Sequence, residues 1–412
     1  MNNIKVIMAL LTVCLSISLK AKNKAISSAE IKAITAKLTK VSATTPAQWR
    51  VIWSGDASRQ ATISWTTAEQ GKLHTVHYGE QKTLGSKSEC QRNGMYSLTK
   101  REKGRVKPAY YHHASLTGLK PDTQYYFVME SDGVKSKMLY FRTAPADGWN
   151  FSVIHGGDSR SGHLARCKMN MMIAQTVQNK PSIIAFAHGG DYIVSGRNWG
   201  QWRLWLSHHE LTTCNDGRVL PIIPTRGNHD GGPIYKEVFN VDPKKNDWHT
   251  TNIGKHVAII TLDTNVAGGG SQSDFLASEL KQLRPKTKWL LTQYHRPLYP
   301  ATKGVPAHQK IFCPLFDKYN VDLALESDGH CIKRTIPIRG GKADPTGVTY
   351  VGEGGLGVGQ RTPKKGLWFL EGGLVGAQHH IMILNFGEQK LGIKTVLMNG
   401  DVFDEHFIKA RN

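Results

Sequence analysis

A short apolar strand runs into a glycine and three polar side chains in the stretch LPIIPTRGNHD, residues 220–230. The β-rich run at 220–225 predicts a buried strand, and the residues 227–230 predict the loop at its end. Loops that follow buried strands are where α/β folds place binding and catalytic groups. The stretch therefore predicts an α/β fold with a functional loop at this strand end.

The same arrangement recurs beyond residue 150. Apolar runs at 151–154, 183–187 and 289–293 each lead into a polar side chain, and a further run at 321–325 leads into ESDGH, residues 326–330. Strand–loop–helix alternation of this kind predicts α/β or α+β organisation. The side chains able to bind a metal ion at these strand ends are Asp158, Asp191, Asn228, His295, Asp328 and His330.

These side chains predict a metal site. One aspartate or histidine at a strand end is usually a helix cap or a surface residue, but an ordered series of five such strand ends is hard to explain in that way. Carboxylate, amide and imidazole groups suit Zn, Mn, Fe or Mg better than a soft copper site.

The N-terminal segment carries a different pattern. Short β-rich runs broken by Gly, Pro, Asp and Ser predict an all-β sandwich over residues 48–145. Its segment LKPDTQYY, residues 119–126, resembles the L-x-P-x-T-x-Y corner of fibronectin type III domains, in which a tyrosine bonds back onto the preceding turn. No cluster of metal-binding residues occurs there, which favours a packing or orienting role for this domain.

The first 47 residues predict export. Lys5, the apolar run 6–18 and a cleavage site after Ala21 predict a signal peptide over residues 1–21, followed by a leader over 22–47. No other stretch is apolar and long enough to span a membrane, so we expect a soluble secreted or periplasmic protein. Removal of Cys14 leaves five cysteines, so disulfides are permitted but one thiol stays unpaired or bonds another chain.

The net charge of +21 favours anionic partners. Phosphate esters, nucleic acid as an anionic substrate, polyphosphate or an anionic cell surface all fit. A solvated basic surface fits equally well, because the lysines are scattered along the chain. The oligomeric state stays open.

The order GD, GD, GNHD, H and a final acid–histidine pair resembles that of the calcineurin-like metallophosphoesterases over residues 48–412. The purple acid phosphatases are the most similar branch, since they also carry an N-terminal fibronectin-like sandwich. The phrase YHRPLY, residues 294–299, and the Gly-rich YVGEGG, residues 350–355, add to the resemblance. It implies a four-layer αββα catalytic domain over residues 150–412.

The resemblance also implies a role for each ligand in a centre of two metal ions, with Zn, Mn or Fe as candidates. Asp158 and His330 would bind the first ion, Asp191 would bridge both, and the second would take the remaining side chains. These are Asn228, His295 and Asp328. The final motif is usually Gly-His-x-His in the family, so Asp328 replaces a histidine and adds negative charge.

Two further departures from the family concern the first ion. The tyrosine that gives the purple enzymes their colour stands three residues after the bridging aspartate, where this chain has Val194, and the adjacent Tyr192 is not expected to replace it. Arg160 stands two residues after Asp158, where related enzymes have Gly or His. Arginine stays protonated and cannot ligate a metal, but its guanidinium can bind a phosphate in a bidentate manner.

Two-metal chemistry implies hydrolysis of phosphate esters by an activated water. His229 is expected to serve the phosphate or the leaving group, with Asp230 orienting its ring, and Arg160, Arg197 and His308 are candidates for substrate contact. We expect a phosphomonoesterase. A phosphodiesterase, a nucleotide or polyphosphate hydrolase, and a binding protein for anionic polymers with a vestigial metal site remain alternatives.

Overall fold

The computed structural model describes residues 33–34 and 36–411. The predicted signal peptide and residues 22–32 and 35 of the predicted leader lie outside the described residues. The chain divides into two compact units, Met1–Lys37 and Leu38–Asn412. Among the described helices, none combines the length and the apolar character needed to cross a membrane.

The N-terminal part of the second unit consists of nine strands joined in antiparallel ladders. They are β1 (Ala47–Ile52), β2 (Ala61–Thr67), β3 (His74–Gly79), β4 (Ser86–Glu89), β5 (Arg92–Met95), β6 (Tyr110–Leu116), β7 (Gln124–Ser131), β8 (Val134–Lys135) and β9 (Leu139–Arg142). One sheet has the order β1-β2-β6-β5 and the other β4-β3-β7-β8, with β9 on β7. Ile63, Trp65, Val76 and Phe127 fill the space between them. The predicted all-β sandwich is confirmed.

A tyrosine fixes one corner of this sandwich. The phenol oxygen of Tyr125 accepts a hydrogen bond from the Lys120 amide at 2.9 Å, so the strand β7 is bonded back onto the turn that precedes it. This is the contact that the L-x-P-x-T-x-Y segment predicts.

The remainder of the chain alternates strands and helices. The strands are β10 (Phe151–Gly156), β11 (Ile183–His188), β12 (Ile222–Pro224), β13 (His249–Ile253), β14 (Val257–Thr261), β15 (Trp289–Gln293), β16 (Leu323–Leu325), β17 (Ile332–Arg334), β18 (Ile338–Arg339), β19 (Lys342–Ala343), β20 (Thr349–Gly352), β21 (Leu374–Gly376), β22 (His380–Phe386), β23 (Lys390–Leu397) and β24 (Val402–Lys409). The α-helices are α1 (His163–Asn179), α2 (Trp199–His209), α3 (Ile234–Val238), α4 (Ser271–Leu283) and α5 (Gln309–Lys318). Two 3-10 helices, Glu210–Thr212 and Trp368–Leu370, complete the set of described elements.

Two large sheets organise this part. The first has the order β24-β23-β22-β10-β11-β12-β1-β2-β6-β5 and the second β13-β14-β15-β16-β20-β17-β21. Strands β10, β11 and β12 are parallel, as are β14, β15, β16 and β20. The first sheet includes four strands of the sandwich, because β1 pairs with β12 at Ile52 and Ile222. One sheet therefore runs through both parts of the chain.

Alternate residues of the strands face different layers. Ile259, Leu291 and Leu323 point into the core between the two sheets, whereas Ile260 and Leu290 pack against α4 and α5 on the outer face of the second sheet. The outer face of the first sheet is covered by α1 and α2. This is the period-2 alternation of strands buried on both sides. The predicted four-layer α+β architecture is confirmed.

The five cysteines of the described residues are all free thiols: Cys90, Cys167, Cys214, Cys313 and Cys331. The permitted disulfides are thus not formed in this structure.

Arg50 on β1 joins the sandwich to the segment that follows the GNHD loop. Its buried guanidinium donates hydrogen bonds to the carbonyls of Val238 and Gln48, each at 2.8 Å, and to the hydroxyl of Tyr96 at 2.9 Å. Burial lowers the pKa of Arg50, since a charge in the interior loses its hydration.

Replacement of Arg50 by alanine is expected to destabilise the fold by about 3 kcal/mol or more, because each buried acceptor left without a donor costs about 1–3 kcal/mol. Chemical denaturation of the variant measures the loss. Arg59→Ala removes an exposed arginine from the same region and should change stability by no more than about 0.5 kcal/mol. Equal effects of the two changes would contradict this role of Arg50.

Candidate metal centre

The structure brings the six predicted ligands to one place, where the carboxyl ends of parallel strands from both sheets meet. Asp158, Asp191 and Asn228 follow β10, β11 and β12 of the first sheet, while His295 follows β15 of the second. The segment after β16 supplies the last two, Asp328 and His330.

Three side chains converge on the Nε2 atom of His295. This nitrogen lies 3.1 Å from Asn228 Oδ1, 3.3 Å from Asp191 Oδ1 and 3.4 Å from Asp328 Oδ1. We call Asp191, Asn228, His295 and Asp328 the four-ligand group. The other ring nitrogen of His295 bonds the Gly189 carbonyl at 2.8 Å, which orients Nε2 toward the group.

A second set of predicted ligands lies beside the first. His330 Nε2 is 3.2 Å from Asp158 Oδ1, and Asp191 presents its other carboxylate oxygen, Oδ2, to this side. We call Asp158, Asp191 and His330 the three-ligand group. Ligand atoms of Asp158, Asp191, His295 and Asp328 all lie within 4.8 Å of one another.

The donor set fits a divalent cation. The Oδ1 atom of Asp158 is buried without a hydrogen-bond partner, although a buried carboxylate oxygen normally has one. Carboxylates, an amide oxygen and imidazole nitrogens are the ligands that Zn, Mn, Fe and Mg take in proteins.

Four of the predicted ligands adopt the left-handed backbone conformation, which side chains other than glycine seldom take. Asp158, Asp191, Asp328 and His330 have φ values of 58°, 57°, 66° and 60°. Such residues persist where surrounding bonds fix them. Here each of their amides donates to an acceptor on another strand-end loop: the Gly190 carbonyl, Asp230 Oδ2, Asp158 Oδ2 and the Glu353 carbonyl, respectively.

Asp230 holds two of these loops together. Its Oδ2 accepts the amides of Asp191 and Gly227, each at 2.7 Å, and its Oδ1 accepts the Tyr192 amide at 2.9 Å. Burial and the nearby Asp191 raise its pKa to about 7, against the lowering effect of the amides. The prediction that Asp230 orients the ring of His229 is corrected by this geometry, since the carboxylate is bonded to the backbone.

The carbonyl of Val194 orients His229 instead. The Nδ1 atom of His229 lies 2.7 Å from that carbonyl oxygen and must donate to it, so Nε2 is the nitrogen that faces the centre. It lies 3.9 Å from Asp191 Oδ2, and the His229 amide donates to Asp191 Oδ1 at 2.9 Å. The ring remains partly exposed and accessible to a ligand.

The centre favours positive charge at the point where the four-ligand group converges. Burial acts to raise the pKa values of Asp191 and Asp328, but the facing His295 lowers both well below their usual range. Burial acts to lower the pKa of His295, but these carboxylates raise it well above its usual range.

Two cationic side chains also contact the ligands. Arg160 donates from Nε to Asp191 Oδ2 at 3.0 Å, and its Nη2 lies 3.4 Å from His330 Nε2. The ammonium group of Lys303 binds Asp328 Oδ1. Sequence reasoning singled out Arg160 but missed Lys303, which lies in an irregular loop and belongs to no motif.

The other two predicted substrate contacts, Arg197 and His308, make no hydrogen bond with the predicted ligands. Arg197 is exposed beside the loop that follows Asp230, with its Cγ near Gly232, and makes no hydrogen bond within the described residues. His308 bonds the Val266 carbonyl through Nε2 at 2.7 Å, and its Nδ1 is buried. Neither nitrogen of His308 is offered to a substrate in this conformation, which argues against the predicted contact.

Two family models match the chain. The N-terminal domain of purple acid phosphatases matches residues 46–143, and the calcineurin-like phosphoesterases match residues 143–331. The chain thus carries a domain of the purple acid phosphatase N-terminal type followed by a calcineurin-like phosphoesterase domain. Within this superfamily it resembles the purple acid phosphatases, as the sequence motifs predict, and the superfamily implies a dinuclear metal centre.

Individual relatives are distant. Purple acid phosphatase 1 of Ipomoea batatas is 24% identical over 70% of this chain and 64% of its own length. A probable inactive purple acid phosphatase 1 of Arabidopsis thaliana is 24% identical over 68% of this chain and 54% of its own length. The chain thus spans less than two thirds of these curated relatives.

A solved structure shares the fold of this chain. The purple acid phosphatase PPD1 from yellow lupin (Lupinus luteus) superposes with a TM-score of 0.73 at 20% identity, covering 89% of this chain and 74% of its own.

The protein loaded with ferric iron is expected to show no visible charge-transfer band. Val194 stands where the purple enzymes have their tyrosine, and the ring of the adjacent Tyr192 stacks on His188 with centroids 4.1 Å apart. Burial raises the pKa of Tyr192 well above its usual value, which disfavours a phenolate. The measurement is an absorption spectrum after reconstitution with ferric iron. A pink or purple preparation would contradict the assignment.

Proposed function

We propose that the protein is an exported metal-dependent hydrolase of phosphate esters and acts as a phosphomonoesterase. The observation that carries the proposal is the convergence of Asp191, Asn228 and Asp328 on His295 Nε2 within 3.4 Å. Export rests on the predicted signal peptide at residues 1–21, outside the described part of the chain.

The ligands suit the chemistry of phosphate esters. The four-ligand group would hold a divalent ion, which would supply Lewis-acid stabilisation of charge on a phosphoryl oxygen and would lower the pKa of a water. The protein's part is to hold the ligands rigidly, and the amide hydrogen bonds at Asp158, Asp191, Asp328 and His330 do so.

His229 is placed to act on the leaving group. Its Nδ1 is bonded to the Val194 carbonyl, so the proton that it exchanges with a substrate oxygen would be carried on Nε2. The ring is 32% exposed, which leaves room for a phosphate ester above Asp191. The exposed Arg197 and the net charge of +21 would attract the anionic substrate.

A binding protein for anionic polymers is the second candidate. The observation that favours it is the pairing of Arg160 and Lys303 with ligand carboxylates, which supplies positive charge without a metal ion. Catalytic assays separate the two functions.

Purified protein with added Mn or Zn is expected to hydrolyse p-nitrophenyl phosphate faster than bis-p-nitrophenyl phosphate, and chelation should abolish both activities. Release of p-nitrophenolate measures the rates. The reverse preference would support the phosphodiesterase alternative. No turnover with either ester under any metal would favour the binding protein and contradict the proposal.

His229→Ala is expected to retain its metal and to lose about 100- to 10,000-fold in kcat, since positioned acid–base groups are worth that much. Asp191→Asn is expected to lose metal together with activity, because Asp191 contributes an oxygen to both ligand groups. Metal analysis beside kinetics distinguishes the two. His77→Ala, on strand β3 of the sandwich, is the control histidine and should change neither quantity. Equal metal loss in His229→Ala and Asp191→Asn would make His229 a ligand.

A further inference from the structure

We propose that the centre holds one divalent ion, in the four-ligand group, and that the guanidinium of Arg160 takes the place of a second ion in the three-ligand group. The inference rests on the proposed function in that a metal must bind. It departs from the dinuclear centre that the superfamily implies.

The two ligand groups are unequal. The four-ligand group offers two carboxylates, an amide oxygen and an imidazole around one point. Beside the three-ligand group, this chain has Val194, a side chain without a ligand atom, at the position where the purple enzymes contribute a phenolate. Val194 is also 45% exposed, and its side chain adds no donor to that side.

Arg160 already binds two of the three ligands on that side. Its Nε donates to Asp191 Oδ2, the oxygen that faces away from the four-ligand group, and its Nη2 contacts His330 Nε2. A metal ion bound by the same two atoms would lie against the guanidinium. Since arginine stays protonated, the repulsion between the two cations opposes a second ion.

The backbone beside Arg160 is fixed by the preceding residue. Ser159 accepts a hydrogen bond from Arg166 Nη1 on its carbonyl at 2.9 Å, and its hydroxyl accepts one from the indole nitrogen of Trp205 at 2.9 Å. The side chain of Arg160 is only 17% exposed. Withdrawal of the guanidinium would leave the buried Asp191 Oδ2 without this donor, so the arginine is held at the centre.

Lys303, unlike Arg160, is not held at the centre. Its side chain is 36% exposed and belongs to an irregular loop, so its ammonium can return to solvent when a metal ion binds Asp328. Competition for Asp328 therefore does not exclude an ion from the four-ligand group.

The sum of the formal charges at the centre also favours a single divalent ion. Three carboxylates lie there, from Asp158, Asp191 and Asp328, beside the cations of Arg160 and Lys303. With both cations retained, one divalent ion leaves the centre with a single formal positive charge, whereas a second would leave three. If Lys303 returns to solvent, one divalent ion leaves the centre neutral.

Arg160 then takes over part of the role of the missing ion. Its Nη1 makes no hydrogen bond within the described residues, so donors remain to bind a phosphoryl oxygen beside His229. The predicted contact of Arg160 with substrate would thus be made from a guanidinium already bonded to Asp191.

The experiment counts bound ions independently of activity. Metal-free protein is titrated with Mn²⁺, and metal analysis is combined with electron paramagnetic resonance, which separates isolated ions from an exchange-coupled pair. We expect one isolated ion per chain in the wild type and in Arg160→Lys, which keeps the charge. Arg160→His, which replaces the cation with an imidazole, should take up two coupled ions, and Arg59→Ala should behave as the wild type.

A second measurement uses colour and does not depend on the stability of Arg160→His. Val194→Tyr alone should remain colourless with ferric iron, because Arg160 still excludes the ion. The double variant Arg160→Gly/Val194→Tyr should gain a visible absorption band.

Each result decides for or against the inference. Two coupled ions in an active wild-type protein would overturn it and leave the proposed function intact. A coloured Val194→Tyr single variant, or a single ion in a folded Arg160→His, would show that Arg160 does not exclude the second ion. Failure of the wild type to bind any metal, without hydrolysis, would overturn both proposals.

Discussion

The carboxylate of Asp230 is the constraint on which the centre depends. It accepts the amides of Gly227, Asp191 and Tyr192 and so binds the loop after β12 to the loop after β11. A Cβ on Gly227 would lie 2.2 Å from the Asp191 amide nitrogen, so the approach requires glycine at that position. Because Asp191 is held by its amide in a left-handed conformation, its Oδ1 faces the four-ligand group and its Oδ2 faces the three-ligand group. The GNHD stretch therefore contributes more than ligands, since its first and last residues set the position of the aspartate shared by both groups.

The sequence predicted which residues meet, because the rule behind that prediction is simple. Parallel strands end at a common edge, and polar residues placed just after several such strands must lie close together. Asp158, Asp191 and His295 follow this rule. The contacts between loops do not follow from any period or motif: the binding of Asp230 to amides, of His229 to the Val194 carbonyl and of Lys303 to Asp328 depends on how irregular segments fold over one another.

The sequence also gave no indication that the first sheet runs through both parts of the chain. The change from short β-rich runs to strand–loop–helix units near residue 145 suggests two independent cores, yet β1 of the sandwich lies beside β12 of the metallophosphoesterase part. A parallel pairing between strands so far apart along the chain leaves no local pattern. Its stability comes from burial and from Arg50, whose bonds to Val238 and Tyr96 span the junction. Since Val238 ends the helix that follows the GNHD loop, the sandwich supports the segment that comes directly after Asn228 and His229.

The three departures from the family pattern, at Val194, Arg160 and Asp328, are better explained as one redistribution of charge within the centre than as separate losses of metal ligands. Val194 removes a ligand from the side of Asp158 and His330, and Arg160 brings a permanent cation to that side. Asp328 adds an anion on the opposite side, next to His295. Together they shift negative charge toward the four-ligand group and positive charge toward the three-ligand group. Random decay of a metal site would be expected to replace ligands at several positions by side chains unable to bind a metal. Here all four members of the four-ligand group keep a donor atom, and three of these atoms lie within 3.4 Å of the fourth, His295 Nε2. A centre that concentrates its donors around one ion, and uses the guanidinium of Arg160 in place of a second ion, accounts for all three departures at once.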